Sequence, residues 1–242
     1  MARVIELRGI RRTYKMGDQE LHALADLDLD IESGEHVAIM GPSGSGKSTL
    51  LNVIGLLDRA SSGRYALDGR DVTDLSDEEL SEVRQNQIGF VFQSYHLVAR
   101  LDAVANVELP MVFAGVPKKE RRQRAEAALQ RVGLGDRMHH KPTEMSGGQA
   151  QRVAVARSTI MGPSVLLADE PTGNLDSVSG NRVLDLLQGL HRDGLTLVVV
   201  THDPAVARLA DRVIVLKDGR LAREWRGTDV VSLDQLFELD AP

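Results

Sequence analysis

The sequence predicts an α/β fold in which a mostly parallel sheet carries a small antiparallel β layer and a helical subdomain. Three patterns point to this fold. Short aliphatic runs are flanked by polar turns, as in the buried strands of parallel sheets. Two Asp-Gly pairs, each between short apolar runs, indicate antiparallel hairpins. A stretch containing Ala125, Ala128, Leu129 and Val132 has the apolar spacing of a helix.

The first predicted strands and helix surround a glycine-rich loop. Leu27, Leu29 and Ile31 alternate with aspartates, which is the period of a half-buried strand. A turn then leads into a short apolar strand over residues 36–40, and a buried helix is expected over residues 48–54. The order of strand, glycine loop and helix is the context that a nucleotide-binding loop requires.

Further strands complete the predicted sheets. The two hairpin turns are Asp68-Gly69 and Asp218-Gly219. Parallel strands are expected at Ile88–Phe92, Val165–Ala168, Leu195–Thr201 and Val213–Leu216. In the helical stretch, a basic run over residues 118–122 is interpreted as a solvated helix face, with a docking face as the alternative.

Length and composition bound the organisation of the chain. It has 242 residues, of which 42% are hydrophobic and 26% charged, as is usual for globular proteins. We expect a single domain over residues 1–242. Its α/β core would occupy about 1–92 and 159–225, its helical subdomain about 93–158, and a C-terminal tail 226–242.

Charge and cysteine content exclude several classes of partner and site. The formal net charge is -6 with scattered basic residues, so no nucleic acid or anionic membrane surface is expected as a partner. Because there are no cysteines, disulfides and thiolate metal sites are excluded, and the cytosol is permitted. The first residues lack the apolar core of a signal peptide, and no apolar run approaches the ~20 residues that span a bilayer. Work at a membrane is therefore expected to need a partner.

The glycine-rich loop fits the nucleotide-binding pattern G-x-x-x-x-G-K-[ST]. Its residues are Gly41, Pro42, Ser43, Gly44, Ser45, Gly46, Lys47 and Ser48. In such a loop the backbone N–H groups and the following helix start bind phosphates, Lys47 reaches the β- and γ-phosphates, and Ser48 offers a hydroxyl to Mg²⁺. The loop and its context therefore predict a P-loop NTPase.

A carboxylate pair, Asp169 and Glu170, follows the aliphatic run 165–168. Surface acids in a turn before Pro171 are the alternative interpretation. However, the carboxyl end of a strand is where α/β sheets bind ligands. The chemistry there needs two acidic roles: Asp169 would hold Mg²⁺, and Glu170 would orient or deprotonate the attacking water.

A second glycine-rich segment, made of Ser146, Gly147, Gly148 and Gln149, precedes another predicted helix. Taken alone, it reads as an ordinary serine N-cap. Together with the other elements, it resembles the signature motif of the ATP-binding-cassette (ABC) ATPases, and residues 166–172 resemble their second nucleotide motif. The resemblance covers nearly the whole chain and implies a P-loop NTPase fold with a RecA-like core.

This resemblance implies further site residues. Gln93 matches the family's glutamine at the start of its helical subdomain, and His202 matches the switch histidine at the γ-phosphate, which would act with Glu170 and Lys47 in catalysis. Tyr14 is assigned to stack on adenine, with simple packing at a strand end as the alternative. The implied ATP site comprises the P-loop residues, Tyr14, Thr49, Gln93, Ser146, Gly147, Gly148, Gln149 and His202, and the implied metal ligands are Ser48, Gln93 and Asp169.

Within the family, the sequence is most similar to the ATPases of lipoprotein-releasing and macrolide-exporting systems, in phrases at residues 39–44, 88–93, 106–110 and 171–176. The resemblance implies ATP and Mg²⁺ as cofactors and a second copy docked head to tail, with the loop 174–176 contacting the opposite subunit. It also implies integral-membrane permease subunits and a cytoplasmic location on the inner face of the cell membrane. Cassettes for amino-acid import, cell division or peptide-antibiotic resistance share nearly the same core, so the cargo stays open.

Two other functions compete with a transporter ATPase. A cassette ATPase acting on DNA or ribosomes would typically carry two cassettes or a long coiled coil, and the sequence has neither. A binding module that senses ATP without turnover would not need Glu170 and His202, which are both present. The sequence therefore favours ATP hydrolysis coupled to a permease.

Overall fold

The computed structural model describes residues 2–17 and 19–230, and these form two sheets and seven α-helices. The strands are β1 (Arg3–Met16), β2 (Gln19–Glu32), β3 (His36–Met40), β4 (Ser62–Leu67), β5 (Arg70–Asp71), β6 (Ile88–Phe92), β7 (Val165–Asp169), β8 (Thr196–Val200), β9 (Arg212–Lys217) and β10 (Arg220–Arg226). The helices are α1 (Lys47–Ile54), α2 (Asp77–Gln87), α3 (Ala103–Phe113), α4 (Lys118–Arg131), α5 (Gly147–Thr159), α6 (Ser177–Arg192) and α7 (Pro204–Ala207). The part of the predicted tail from residue 231 onward lies outside the described residues.

The larger sheet has the strand order β10-β9-β3-β8-β7-β6, and the five strands from β9 to β6 run parallel. All five residues of β3 and of β8 are buried, as expected for strands covered on both faces. The predicted parallel strands are confirmed, including the one around residues 213–216, which pairs with β3. The α/β fold class is confirmed with them.

The smaller sheet is antiparallel, in the order β2-β1-β4-β5. The Asp68-Gly69 turn joins β4 to β5 within it, as predicted. The Asp218-Gly219 hairpin instead extends the larger sheet, because β9 is already paired in parallel with β3 and β10 adds to its free edge. Only the first of the two predicted hairpins therefore belongs to the antiparallel layer.

Helix α1 packs between the two sheets. Leu50 and Ile54 on α1 share one hydrophobic cluster with Leu7 and Ile31 from the small sheet and Val198 from the large one. Each such buried side chain stabilises the fold by roughly 1.5–3 kcal/mol. The start of α1, which follows the glycine loop, is thereby held in a fixed position at the ends of the parallel strands.

Helices α3, α4 and α5 enclose a separate cluster that includes Val107, Leu129 and Val153. The basic run 118–122 begins α4, where Arg121 pairs with Glu108 and Arg122 with Glu126. These ion pairs and the exposure of the run favour the solvated helix face. The residue ranges assigned to core, helical subdomain and tail stay a prediction.

None of the helices in residues 2–17 and 19–230 combines the length and the apolar character that a bilayer crossing demands.

The first residue of β3, His36, is buried and only 2% exposed. Its backbone N–H donates to Asp211 Oδ2 at 2.9 Å, and Gln188 Nε2 lies 3.1 Å from its Nδ1. Burial lowers the pKa of His36 to about 4; the neighbouring His191 adds to this shift and Asp211 opposes it. The folded protein therefore holds a neutral imidazole over a range of pH where the unfolded chain is protonated.

We expect this histidine to make stability fall in mild acid. Below about pH 6.5 the unfolded chain binds a proton that the folded protein excludes until about pH 4, so the free energy of unfolding decreases across this interval by up to roughly 3 kcal/mol. Urea denaturation of wild type and His36→Gln at several pH values measures the effect. The variant should lose this part of the pH dependence, whereas His139→Gln, at an exposed position, should keep it. Parallel pH profiles for wild type and His36→Gln would contradict the assignment.

Candidate active site

The P-loop runs from the end of β3 to the start of α1. Gly46 adopts a φ of 101°, and a Cβ at this position would collide with the carbonyl oxygen of Ala23. The backbone N–H of Gly219 donates to Ser45 O at 3.0 Å, which ties the β9–β10 turn to the loop. The Ser45 hydroxyl is buried and has no hydrogen-bond partner among the described residues. The loop thus has a fixed backbone and a polar group that is not satisfied by the protein.

Lys47 extends back along its own loop. Its Nζ donates to the carbonyl oxygens of Gly41 and Pro42, both at 2.8 Å. Burial lowers the pKa of Lys47, and the carboxylates of Glu170 and Asp169 oppose this shift. The ammonium group therefore lies against its own loop and within reach of the charges of Glu170 and Asp169, where it can bind a phosphate oxygen.

A cavity of about 420 Å³ opens beside the loop. It is lined by Tyr14, Leu21, His22, Ala23, Gly44, Ser45, Gly46, Lys47, Ser48, Thr49, Asp218 and Gly219. The sequence indicates the loop and Tyr14 as part of this site but not the segment 21–23 or the turn 218–219, since an Asp-Gly pair predicts only a hairpin. A phosphate-binding loop at one end and an aromatic ring at the other suit a nucleotide.

The predicted metal ligands come from neighbouring strand ends. In the sheet, Phe92 pairs with Asp169, so Gln93 and Asp169 leave β6 and β7 side by side. Burial raises the pKa of Asp169; the nearby Glu170 adds to the rise and Lys47 opposes it. With Ser48, these residues offer hydroxyl, amide and carboxylate oxygens, which are the donors that Mg²⁺ prefers.

The described residues contain no cluster of three or more His, Cys, Asp or Glu side chains that could hold a metal. A single carboxylate and two neutral oxygens fit an ion that takes its other ligands from phosphates and water, as Mg²⁺ usually does in nucleotide sites. The donor set is therefore compatible with Mg²⁺ bound together with a nucleotide.

Glu170 and His202 are in direct contact. Glu170 directly follows β7 in a left-handed conformation with φ 45°, and its backbone N–H donates to Val200 O at 2.9 Å. His202 Nδ1 lies 2.8 Å from Glu170 Oε1. The carboxylate side chain is 19% exposed and the imidazole 72% exposed. The structure thus joins two residues that the sequence placed 32 positions apart, with the histidine open to a ligand.

The segment 146–149 caps α5. Ser146 Oγ accepts from the Gln149 backbone N–H at 3.3 Å, and Gln149 Oε1 accepts from the Ser146 N–H at 2.9 Å. A Cβ on Gly147 would lie 2.6 Å from the Tyr95 hydroxyl, so a larger residue cannot fit without movement. Ser146 therefore does act as an ordinary N-cap of α5. Its side chain lies at an exposed helix start.

The cap does not reach the cavity beside the P-loop. None of the residues 146–149 lines that cavity. Gln93, Asp169, Glu170 and His202 do not line it either, but Asp169 and Glu170 are close enough to Lys47 for their charges to act on its pKa. The start of α5 instead lies against Tyr95 and Ser179, so the two predicted halves of the nucleotide site occupy different parts of one chain. Gln93 Nε2 donates to Asn174 Oδ1 at 3.2 Å, which leaves the amide oxygen of Gln93 for a metal.

A model of the ABC transporter family matches residues 24–173, which is more than half of the chain. The chain belongs to the ABC transporter family. Among its relatives, the uncharacterised ABC transporter ATP-binding protein YknY of Bacillus subtilis is 51% identical over 218 residues, covering 90% of this chain and 95% of YknY. The macrolide export ATP-binding/permease protein MacB of a Shewanella strain is 51% identical over 227 residues. That match covers 94% of this chain and 35% of MacB.

Solved ABC cassettes share the fold of this cassette. A dimeric structure of the cassette MJ0796, in a post-hydrolysis state bound to ADP and Pi, has a TM-score of 0.84 at 46% identity. The match covers 92% of this chain and 98% of the MJ0796 chain. The predicted family, the P-loop NTPase fold and the ATPase activity are confirmed, as is the likeness to macrolide-export ATPases. The individual site residues stay predictions.

Proposed function

We propose that this ABC cassette drives an export-type membrane transporter by closing head to tail with a second copy around ATP. The observation that carries the proposal is the separation of the P-loop cavity from the exposed cap at residues 146–149. A cap from a second copy would supply the missing wall of each site. The dimeric MJ0796 structure supports the assembly, and MacB, whose name joins an ATP-binding part to a permease, supports the partner and the direction.

Each residue of the proposed closed site has a chemical role. The loop N–H groups and Lys47 bind the phosphates, and Ser146 and Gly148 of the second copy approach the γ-phosphate from the other side. Mg²⁺, held by Ser48, Gln93 and Asp169, supplies positive charge against the phosphate oxygens when bound. These groups position the phosphates and neutralise their negative charge, and those two effects account for most of the catalysis of phosphoryl transfer.

Glu170 acts on the attacking water in this proposal. Its carboxylate lies at the end of β7 and accepts a hydrogen bond from, or shares a proton with, His202 Nδ1 at 2.8 Å. The contact with His202 fixes the carboxylate, and the imidazole itself stays exposed. When ATP binds, His202 is available to the γ-phosphate, and Glu170 is then free to accept the proton of the water.

The permease needs a docking surface, and the helical part of the cassette offers one. A groove of about 470 Å³ runs between the large sheet and helices α2, α3 and α5. Its lining includes Leu57, Phe90, Leu109, Phe113 and Met161. Phe113 is 79% exposed and Leu57 48% exposed, so the groove is lined by exposed apolar side chains that lie together, as at protein interaction sites. We assign this groove to the permease, which holds the cassette at the cytoplasmic face of the membrane.

A cysteine at position 113 tests the transporter function. Because the chain has no native cysteine, Phe113→Cys provides one reactive thiol. With a thiol-specific photo-crosslinker, it should attach to an integral-membrane protein when the cassette is expressed together with its permease. Leu209→Cys, also at an exposed apolar position but outside the groove, is the matched control and should not crosslink. Recovery of the cassette without any membrane protein at position 113 would contradict a permease-coupled function.

A further inference from the structure

Three side chains beside the P-loop cavity form a bonded unit. The Tyr14 hydroxyl donates to Asp58 Oδ2 at 2.7 Å. Arg12 donates through Nε to the same oxygen at 2.9 Å, and a second guanidinium nitrogen lies 2.7 Å from Asp58 Oδ1. The Arg12 guanidinium also lies over the Tyr14 ring, 4.4 Å from its centroid. The ring is therefore fixed at its hydroxyl and covered on one face.

This unit connects β1 to the helix that follows the P-loop. Arg12 and Tyr14 belong to β1, whereas Asp58 lies in the bend after α1, the helix whose first residue is Lys47. The Asp58 N–H donates to Asn52 O on α1 at 3.2 Å, which anchors the carboxylate to that helix. The Arg12 and Asp58 side chains are each 23% exposed, so solvent competes little for their contact. The position of the ring is thereby set relative to the phosphate-binding helix start.

We propose that Asp58 and Arg12 are positioning residues that hold the Tyr14 ring ready for the base of a purine nucleoside triphosphate. The inference rests on the proposed nucleotide site, since it concerns how strongly that site binds the base. Tyr14 lines the same cavity as the P-loop residues Gly44 to Thr49. The ring face opposite Arg12 is then available to a planar base.

Holding the ring in advance increases affinity because the site does not have to order it when the nucleotide binds. A tyrosine without its hydroxyl partner and without the guanidinium would rotate about its side-chain bonds. Ordering one such side chain on binding corresponds to a loss of roughly three- to ten-fold in affinity. The loss should fall on ligands with a base, since the phosphates are bound by the P-loop and not by Tyr14.

Calorimetric titration with a non-hydrolysable ATP analogue and with inorganic tripolyphosphate tests the proposal. We expect Asp58→Ala to weaken binding of the ATP analogue about three- to ten-fold and to leave binding of tripolyphosphate at the wild-type level. In turnover, KM for ATP should rise by a similar factor while kcat falls less than KM rises. Asp58→Asn keeps an acceptor for the Tyr14 hydroxyl and should restore most of the affinity for the ATP analogue.

Two comparisons separate positioning from general damage. Asp77→Ala removes a carboxylate that lies 2.7 Å from Arg59, the residue after Asp58, and is not part of the unit. This variant should change neither the affinity for the ATP analogue nor that for tripolyphosphate. In a Tyr14→Ala background, Asp58→Ala should have no further effect on the ATP analogue, because the ring that it positions is gone. Equal losses for both ligands in Asp58→Ala would mean that Asp58 supports the loop as a whole, which overturns the proposal.

The remaining outcomes are equally informative. Unchanged affinity for the ATP analogue in Asp58→Ala, with wild type binding well, overturns the positioning role and leaves the nucleotide site intact. A wild-type protein that binds neither ligand would instead contradict the proposed function itself. An additive loss in the Tyr14→Ala, Asp58→Ala double variant would show that Asp58 does not act through the ring, and would also overturn the proposal.

Discussion

Glu170→Gln is expected to abolish most ATP hydrolysis while the protein still binds ATP. The glutamine has nearly the same shape, so it fits at the end of β7, but its neutral amide cannot accept the proton of the attacking water. Loss of a general base lowers turnover by on the order of 10² to 10⁴-fold. Phosphate release measures the loss. In size-exclusion chromatography with ATP and Mg²⁺, the variant should shift toward the dimer. The closed dimer forms around ATP, and because the ATP is not hydrolysed, the dimer does not dissociate.

The matched control is Glu108→Gln. The Glu108 side chain is 14% exposed, close to the 19% of Glu170, and its carboxylate also contacts a basic side chain, that of Arg121, at 3.7 Å. This variant removes a half-buried carboxylate outside the P-loop region and should hydrolyse ATP at close to the wild-type rate. If Glu170→Gln stays monomeric with ATP and hydrolyses it normally, Glu170 is not the base and the catalytic assignment fails.

The sequence was sufficient to predict the elements that depend on local spacing. The loop 41–48 and the strand before it are contiguous, so their relation is fixed by the covalent chain and the motif alone predicts it. The strand end at Asp169 could be predicted for the same reason. The left-handed conformation of Glu170 could not, because it depends on the hydrogen bond between its N–H and Val200 O on the neighbouring strand.

Contacts between distant parts of the chain were not predictable from the patterns. The Asp58 carboxylate contacts Tyr14 across 44 positions, and neither residue type by itself signals the other. The bond from Gly219 to Ser45 depends on β9 lying next to β3, which no local pattern specifies. The same pairing decides that the second hairpin extends the large sheet. Sequence therefore predicted the elements around the site better than the contacts between them.

The separation of the P-loop cavity from the cap of α5 leads to a second large effect: no single copy should hydrolyse ATP. The rate per subunit should rise with protein concentration until the dimer saturates. Lys47→Ala removes the ammonium group that binds the phosphates in a subunit's own P-loop. Ser146→Arg places a bulky side chain on the cap that this subunit would bring to the phosphates bound by the other copy. Each homodimer then has two defective sites, so both variants should be nearly inactive alone.

A control is needed because Ser146→Arg also removes an N-cap, at a cost of about 1 kcal/mol. Ser76 caps α2 with the same arrangement, its Oγ accepting from the Glu79 N–H at 3.2 Å. Ser76→Arg therefore inflicts a comparable local loss at a helix start that has no proposed role. It should remain active, which would show that the effect at Ser146 does not come from capping alone.

Mixing the two inactive variants gives the decisive measurement. In a mixed dimer, the intact P-loop of the Ser146→Arg subunit meets the intact cap of the Lys47→Ala subunit at one of the two sites. With random pairing, half of the dimers are mixed and each has one complete site, so about a quarter of the wild-type rate should return when each site acts independently. Mixing Lys47→Ala with more Lys47→Ala should return nothing. A wild-type rate per subunit that stays constant down to monomeric concentrations would contradict the shared site, and the proposed coupling of dimer closure to a permease would lose its physical basis.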